Sequence, residues 1–327
     1  LLLAAALART PALVRLGASS VRESLGILFS LRDLRAIGLL DRLDRSSRPD
    51  EEIGIIREIG LSGRPVAQRE LLPYLRSPRF DVRMEALTAL GNLRDLSPQT
   101  LEAVTRELRG HPFTTAHLSA RILGKAGDPS AVPILREALA SEDYMLRGAA
   151  LVALGRLGDR PSIPAIEEIV ASTDNPRLVI QGAYALELLG SSASVPVLVE
   201  VLRKEGTPDF VRDEVVLSLA AVLGVFDRFY PIYGEWTADP DRGRALLQDA
   251  LEESAGSGSE AARERGRAVE GMLSDPPRGA EAARVILGTE SLDPRAAAVL
   301  AEAAVDPTLS GHPGFRFLLA VLAALAA

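Results

Sequence analysis

The chain has no cysteine among its 327 residues, which excludes disulfides, thiol nucleophiles and thiolate metal sites and leaves the compartment open. Lysine occurs only at Lys125 and Lys204, and histidine only at His111, His117 and His312. His111 and His117 stand six apart, a spacing that does not put both on one helical face. No zincin motif, phosphate loop or nucleophile elbow occurs. Aromatic residues make up 4%. No stretch alternates apolar and polar with period two, so almost no sheet is expected. The net charge of −7 gives no general pull toward nucleic acid, and no nucleic-acid partner is expected.

What the chain has is Leu, Ala and Arg. At 47% hydrophobic and 25% charged it has the composition of a folded soluble protein, and Leu and Ala are strong helix formers. Charge is unevenly placed. Residues 1–48 hold eight Arg against Glu23, Asp33, Asp41 and Asp44, so the rest of the chain carries the acidic balance. The opening Leu1–Ala8 is wholly apolar and runs straight into Arg9. Eight residues are too few to span a bilayer, which takes roughly 20. They read as the end of a membrane helix, with the Arg-rich stretch on its cytoplasmic side. A cleaved-signal remnant ending Ala6-Leu7-Ala8 and an ordinary buried first helix are the rival readings. Phe315–Ala327 is apolar too, and reads as a packed terminal helix.

Internal repetition is the main signal. Val82-Arg83-Met84-Glu85-Ala86-Leu87-Thr88-Ala89-Leu90-Gly91 recurs as Leu146–Gly155 and again as Val211–Ala220, with looser copies at Thr115–Gly124 and Gln181–Gly190. The closing column reads Gly60, Gly91, Gly124, Gly155, Gly190, Ala220, in steps of 31, 33, 31, 35 and 30. Leu or Ile precedes each, and a small residue (Ala86, Ser119, Ala150, Ala185) stands five before Gly91, Gly124, Gly155 and Gly190. That large–small code lets neighbouring helices approach. A second helix precedes each motif, three of them marked by Val132-Pro133, Ile163-Pro164 and Val195-Pro196. Proline is tolerated in a first helical turn, whose N–H groups have no intrahelical partner. Asp128-Pro129 supplies an N-cap and a first helical residue.

These residues resemble the HEAT-repeat family, including its phycobilisome-lyase-like branch, from about Asp50 to Gly224. The resemblance implies an all-α, right-handed solenoid of five to six helix pairs with helical caps, the second helix of each pair lining the concave side. It also implies that Arg83, Arg147 and Arg212 form a structural ladder bonding successive repeats. The paired His-Glu metal motif of HEAT-type hydroxylases is missing. The expected organisation is an apolar and basic N-terminal cap over 1–48, repeats over 49–224, and a helical cap or extension over 225–327. In the last of these, helices are expected near 241–253, 260–274, 280–287 and 294–304, with a flexible link at 254–259. The link's Gly256-Ser257-Gly258-Ser259-Glu260-Ala261 formally fits a dinucleotide-binding pattern, but it follows a helix where that motif needs a strand. The aromatics Phe226, Phe229, Tyr230, Tyr233 and Trp236 read either as a cap over the last repeat or as an exposed dock.

Residues seven and three before the column glycine, and one after it, share a helical face. This ridge comprises Met84, Thr88 and Asn92; His117, Arg121 and Lys125; Gly148, Val152 and Arg156; and Ala183 and Glu187. Its basic stripe at His117, Arg121 and Lys125 is either a solvated face or a contact for an acidic peptide, loop or head group. No catalytic residue, cofactor or metal is expected. The expected function is a non-catalytic scaffold for a protein or peptide. As a whole the chain also looks similar to HEAT-like tails of bacterial major-facilitator-type transporters, which implies tethering in cis at the cytoplasmic face of a membrane. A free cytoplasmic adaptor is the alternative, and a bilin lyase relative is a third reading that rests on the family branch alone.

Overall fold

A computed structural model of the chain describes residues 38–40, 42, 43, 48–63, 68–110 and 115–326. The apolar start, most of the basic cap and His111 lie outside them. The chain is all-α: among the described residues there are helices and turns and no strand. Its contacts divide it into two compact units, Leu1–Leu157 and Gly158–Ala327.

In the first unit the helices are α1 (Pro49–Ser62), α2 (Gln68–Leu71, continued by a 3-10 turn at Leu72–Arg76), α3 (Phe80–Asn92), α4 (Pro98–Gly110), α5 (Ala116–Ala126), α6 (Val132–Ala138) and α7 (Tyr144–Arg156). The repeat motifs form α1, α3, α5 and α7, which stack one on the next, while α4 and α6 pack on the motif helices that follow them. The glycines explain how closely they stack. A Cβ built on Gly60 would lie 2.5 Å from Ala89 Cα, and one on Gly124 would lie 2.5 Å from Ala153 Cα. Glycine on one helix and alanine on the next therefore bring the two backbones into direct contact. The intervening layer is Val82, Ala86, Leu87, Leu90, Ala120, Leu123, Ala150 and Leu154, all buried.

The second unit opens with two more pairs, α8 (Ile163–Ser172) with α9 (Pro176–Leu189) and α10 (Val195–Arg203) with α11 (Asp209–Val222). Each proline-bearing helix (α6, α8, α10) follows a short 3-10 turn and carries its proline in the first turn. Asp128 accepts from the Ser130 N–H, as a cap should. Asp143 and Asn175 cap α7 and α9 in the same way. The rest is α12 (Phe226–Ala238), α13 (Pro240–Ala255), α14 (Glu260–Leu273), α15 (Ala280–Leu287), α16 (Pro294–Val305), α17 (Pro307–Ser310) and α18 (Pro313–Leu325). The helix α18 is the centre of this part. It packs against α11, α12, α13, α14, α15 and α16, and α16 and α17 fold back onto α10.

The aromatic run therefore faces inward. Phe229 is fully buried, and Trp236 stacks on Phe317 of α18 with centroids 4.7 Å apart. Only Tyr230 of the run remains largely exposed, at 55%. The link expected at 254–259 is shorter: Ser254 and Ala255 end α13, and only 256–259 turn into α14; Ser254 donates to the Ala324 carbonyl at 2.6 Å and Ser259 caps α14.

The repeat register differs from the one the glycine column implies. Backbone with positive φ recurs at Gly63, Asp95, Gly127, Gly158, Gly190 and Gly224, in steps of 32, 32, 31, 32 and 34. Gly63, Gly127 and Gly190 cap α1, α5 and α9, as left-handed residues commonly do; Gly158 and Gly224 stand two residues past the ends of α7 and α11, and Asp95 three past the end of α3, so the column marks the exit from each motif helix. Gly60, Gly124 and Gly155 lie inside their helices, three residues before it. Gly190, by contrast, is itself the terminator of α9. The residue of α9 equivalent to the packing glycines is Glu187.

Candidate functional site

Five of the expected ridge residues converge. Thr88 and Asn92 of α3, Arg121 and Lys125 of α5 and Arg156 of α7 line one open cleft of about 180 Å³, together with Leu87, Gly91, Leu118 and Ile122. The 31-to-33-residue repeat of the first unit sets side chains of three stacked helices side by side. The cleft has an apolar floor, in which Leu87 and Ile122 are buried and Leu118 is half-buried. Its rim holds three cations, one amide and one hydroxyl, and no carboxylate lines it.

The three cations are not equivalent. Lys125 Nζ donates to the Gly91 carbonyl at 2.5 Å. It thus ties α5 to the end of α3, where cations meet the helix dipole favourably. Lys204, the other lysine, bridges backward in the same way, to the Thr173 carbonyl at 3.3 Å and Asp174 at 2.6 Å. Arg121 and Arg156 are exposed and meet no carboxylate among the described residues. Thr88 Oγ donates to the Met84 carbonyl at 2.8 Å.

The remaining ridge residues fall outside it. Met84 is exposed at 39%, and Val152 is half-buried. His117 is half-buried, and burial holds its pKa below the ordinary value, with Arg121 adding to the depression and Asp143 opposing it. Gly148 and Ala183 are buried. The structure places Glu187 between helices and not on the ridge. Its carboxylate accepts from Ser218 Oγ of α11 at 3.2 Å. Burial raises its pKa, the Ser218 bond opposes that, and Glu214 reinforces it. With the register corrected, the ridge of α9 runs through Tyr184 and Leu188, exposed at 37% and 38%. The glycine column does not point to them, because Gly190 is a helix terminator and not a packing glycine. The signal that finds them is the even spacing of the terminators.

The arginine ladder has a local geometry. Arg83 donates to the carbonyls of Ser77 and Pro78, at 2.7 and 3.1 Å, in the turn that leads into its own helix. Arg212 reaches the Lys204 carbonyl at 3.5 Å in the corresponding turn. The Nε atoms of Arg83, Arg147 and Arg212 are all buried without an acceptor, so the three share one environment. The bonds seen for Arg83 and Arg212 staple the turn within a repeat, whereas Lys125 and Lys204 each reach back to the preceding repeat. Among the described residues no helix is long and apolar enough to cross a membrane, and no group of three metal-ligating side chains occurs.

The curated proteins offer no match. Residues 106–187, from the last turns of α4 to the last turn of α9, match the sequence profile of HEAT repeats, the segment that contains Arg121, Lys125 and Arg156.

Proposed function

We propose that the chain is a non-catalytic interaction scaffold that holds a segment of another protein in the cleft formed by α3, α5 and α7. The observation that carries this reading is the convergence of Thr88, Asn92, Arg121, Lys125 and Arg156 on one cleft, within a stack whose middle matches HEAT repeats. Repeat stacks place equivalent side chains in rows, and such rows serve as extended binding faces. A photo-crosslinking residue at Thr88, compared with one at the exposed Glu137 of α6, tests it in source cells. Protein adducts are expected from position 88 and not from 137. Equal yields from both positions, or none from 88, would remove the reading.

The finer context we propose is tethering in cis to a membrane protein, at the cytoplasmic face. The apolar Leu1–Ala8 and the arginine excess through Arg48 support it. Carbonate extraction of membranes from source cells is the check. Retention in the pellet is expected, and release into the soluble fraction would favour the free adaptor.

A further inference from the structure

Resting on the scaffold reading, we infer that the cleft selects an acidic segment with interspersed aliphatic residues, its carboxylates pairing with Arg121 and Arg156 and its aliphatic side chains covering Leu118. Charge complementarity is the first argument. Two exposed guanidinium groups stand on neighbouring helices, and no carboxylate lines the cleft between them, so every charged group on its rim is a cation. Each guanidinium offers a planar fork that matches a carboxylate in bidentate geometry.

The position of Lys125 is the second argument. Its ammonium is held on the Gly91 carbonyl of α3, so positive charge is set on all three helices of the cleft, from Lys125 at α3 through Arg121 on α5 to Arg156 on α7. Placed there, it adds a third positive charge to the rim.

The floor supplies the third argument and separates a peptide from other polyanions. Leu87, Leu118 and Ile122 form an apolar base, which a phosphate or a sugar-phosphate backbone cannot use. No aromatic ring lines the cleft on which a base could stack. The chain's net charge of −7 repels a long polyanion beyond this patch, whereas a short acidic segment meets only the patch.

The experiment titrates the full chain into three short fluorescein-labelled peptides followed by anisotropy: alternating Glu and Leu, alternating Gln and Leu, and alternating Glu and Ser. The Glu–Leu peptide is expected to bind at least about tenfold more tightly than either control, and to weaken steeply with salt. Arg121→Glu with Arg156→Glu should reduce its affinity by about tenfold or more. Arg121→Gln with Arg156→Gln should give a smaller loss in the same direction. Because both arginines are exposed, thermal melts of these variants should match the parent.

Equal binding of the Gln–Leu peptide, or unchanged affinity in the charge-reversed variant, would overturn the inference. So would displacement of the Glu–Leu peptide by inorganic phosphate or by an RNA oligonucleotide at lower concentration than by unlabelled peptide. Adducts from position 88 alongside such a failure would leave the scaffold standing and remove only the ligand chemistry. Absence of adducts would remove the scaffold itself.

Discussion

At the scale of single residues, glycine sets how closely helices stack and histidine sets a dependence on pH. Gly124 abuts the backbone of Ala153, where a Cβ would come within 2.5 Å of Cα. Gly124→Ala should push α5 from α7 and cost about 1–3 kcal/mol, measured as a lower urea midpoint at unchanged slope. His312 caps α18 through Nδ1, which accepts the Phe315 N–H at 3.2 Å. That role requires the neutral ring. Burial lowers the His312 pKa, Asp213 and Asp209 oppose the shift, and Arg212 supports it. With the folded-state value below the ordinary one near 6.5, the unfolded chain binds the proton more readily. Stability is therefore whole above that pH and is lost as pH falls below it, levelling off below the folded-state value. His312→Asn keeps a capping acceptor without the titration. Thermal melts between pH 7 and 5 should show a smaller decline in the variant than in the parent; an identical decline would assign the acid sensitivity elsewhere.

At the scale of elements, most of the helices were legible in the sequence. Those expected at 280–287 and 294–304 match α15 and α16 to within a residue, because proline and Asp–Pro pairs punctuate them. The proline-bearing helices were legible for the same reason. What misled was glycine, which serves two purposes in this chain. Inside a helix it removes a side chain so that a neighbour can approach; at a helix end it supplies positive φ. Sequence shows the residue and not the role, so Gly190 falls in one column with Gly155, and Glu187, which meets Ser218 of α11, reads as a ridge residue. Thr88, Asn92, Arg121, Lys125 and Arg156 were legible as a row because α3, α5 and α7 keep a consistent register. The tie from Lys125 to Gly91 was not legible, since a backbone carbonyl leaves no mark in sequence.

At the scale of the whole molecule, the two units are stabilised differently. The first is a stack in which each motif helix meets the next. The second gathers around α18, whose Phe315, Phe317, Leu318, Leu319, Val321 and Leu322 are all buried. Burying each is worth about 1.5–3 kcal/mol, which together is of the same order as the net stability of about 5–15 kcal/mol expected of a domain. Ending the chain before Pro313 should therefore abolish the fold of the second unit and not merely soften it. Hydrogen exchange should show α11 to α16 losing protection together while α3 to α7 keep theirs. Retained protection in α11 to α16 would assign the stability of this unit to its own helix pairs.

The central seat of α18 also bears on how the second unit yields to a mechanical load. In an open stack, tension applied at one end peels the outermost element first, and the rest follow in a staircase of small extensions. Here the last described helix is the innermost, gripped by α11 through α16. A pull on it must extract the hub before any outer layer has come loose, so the unit breaks in one large rip and not by unspooling.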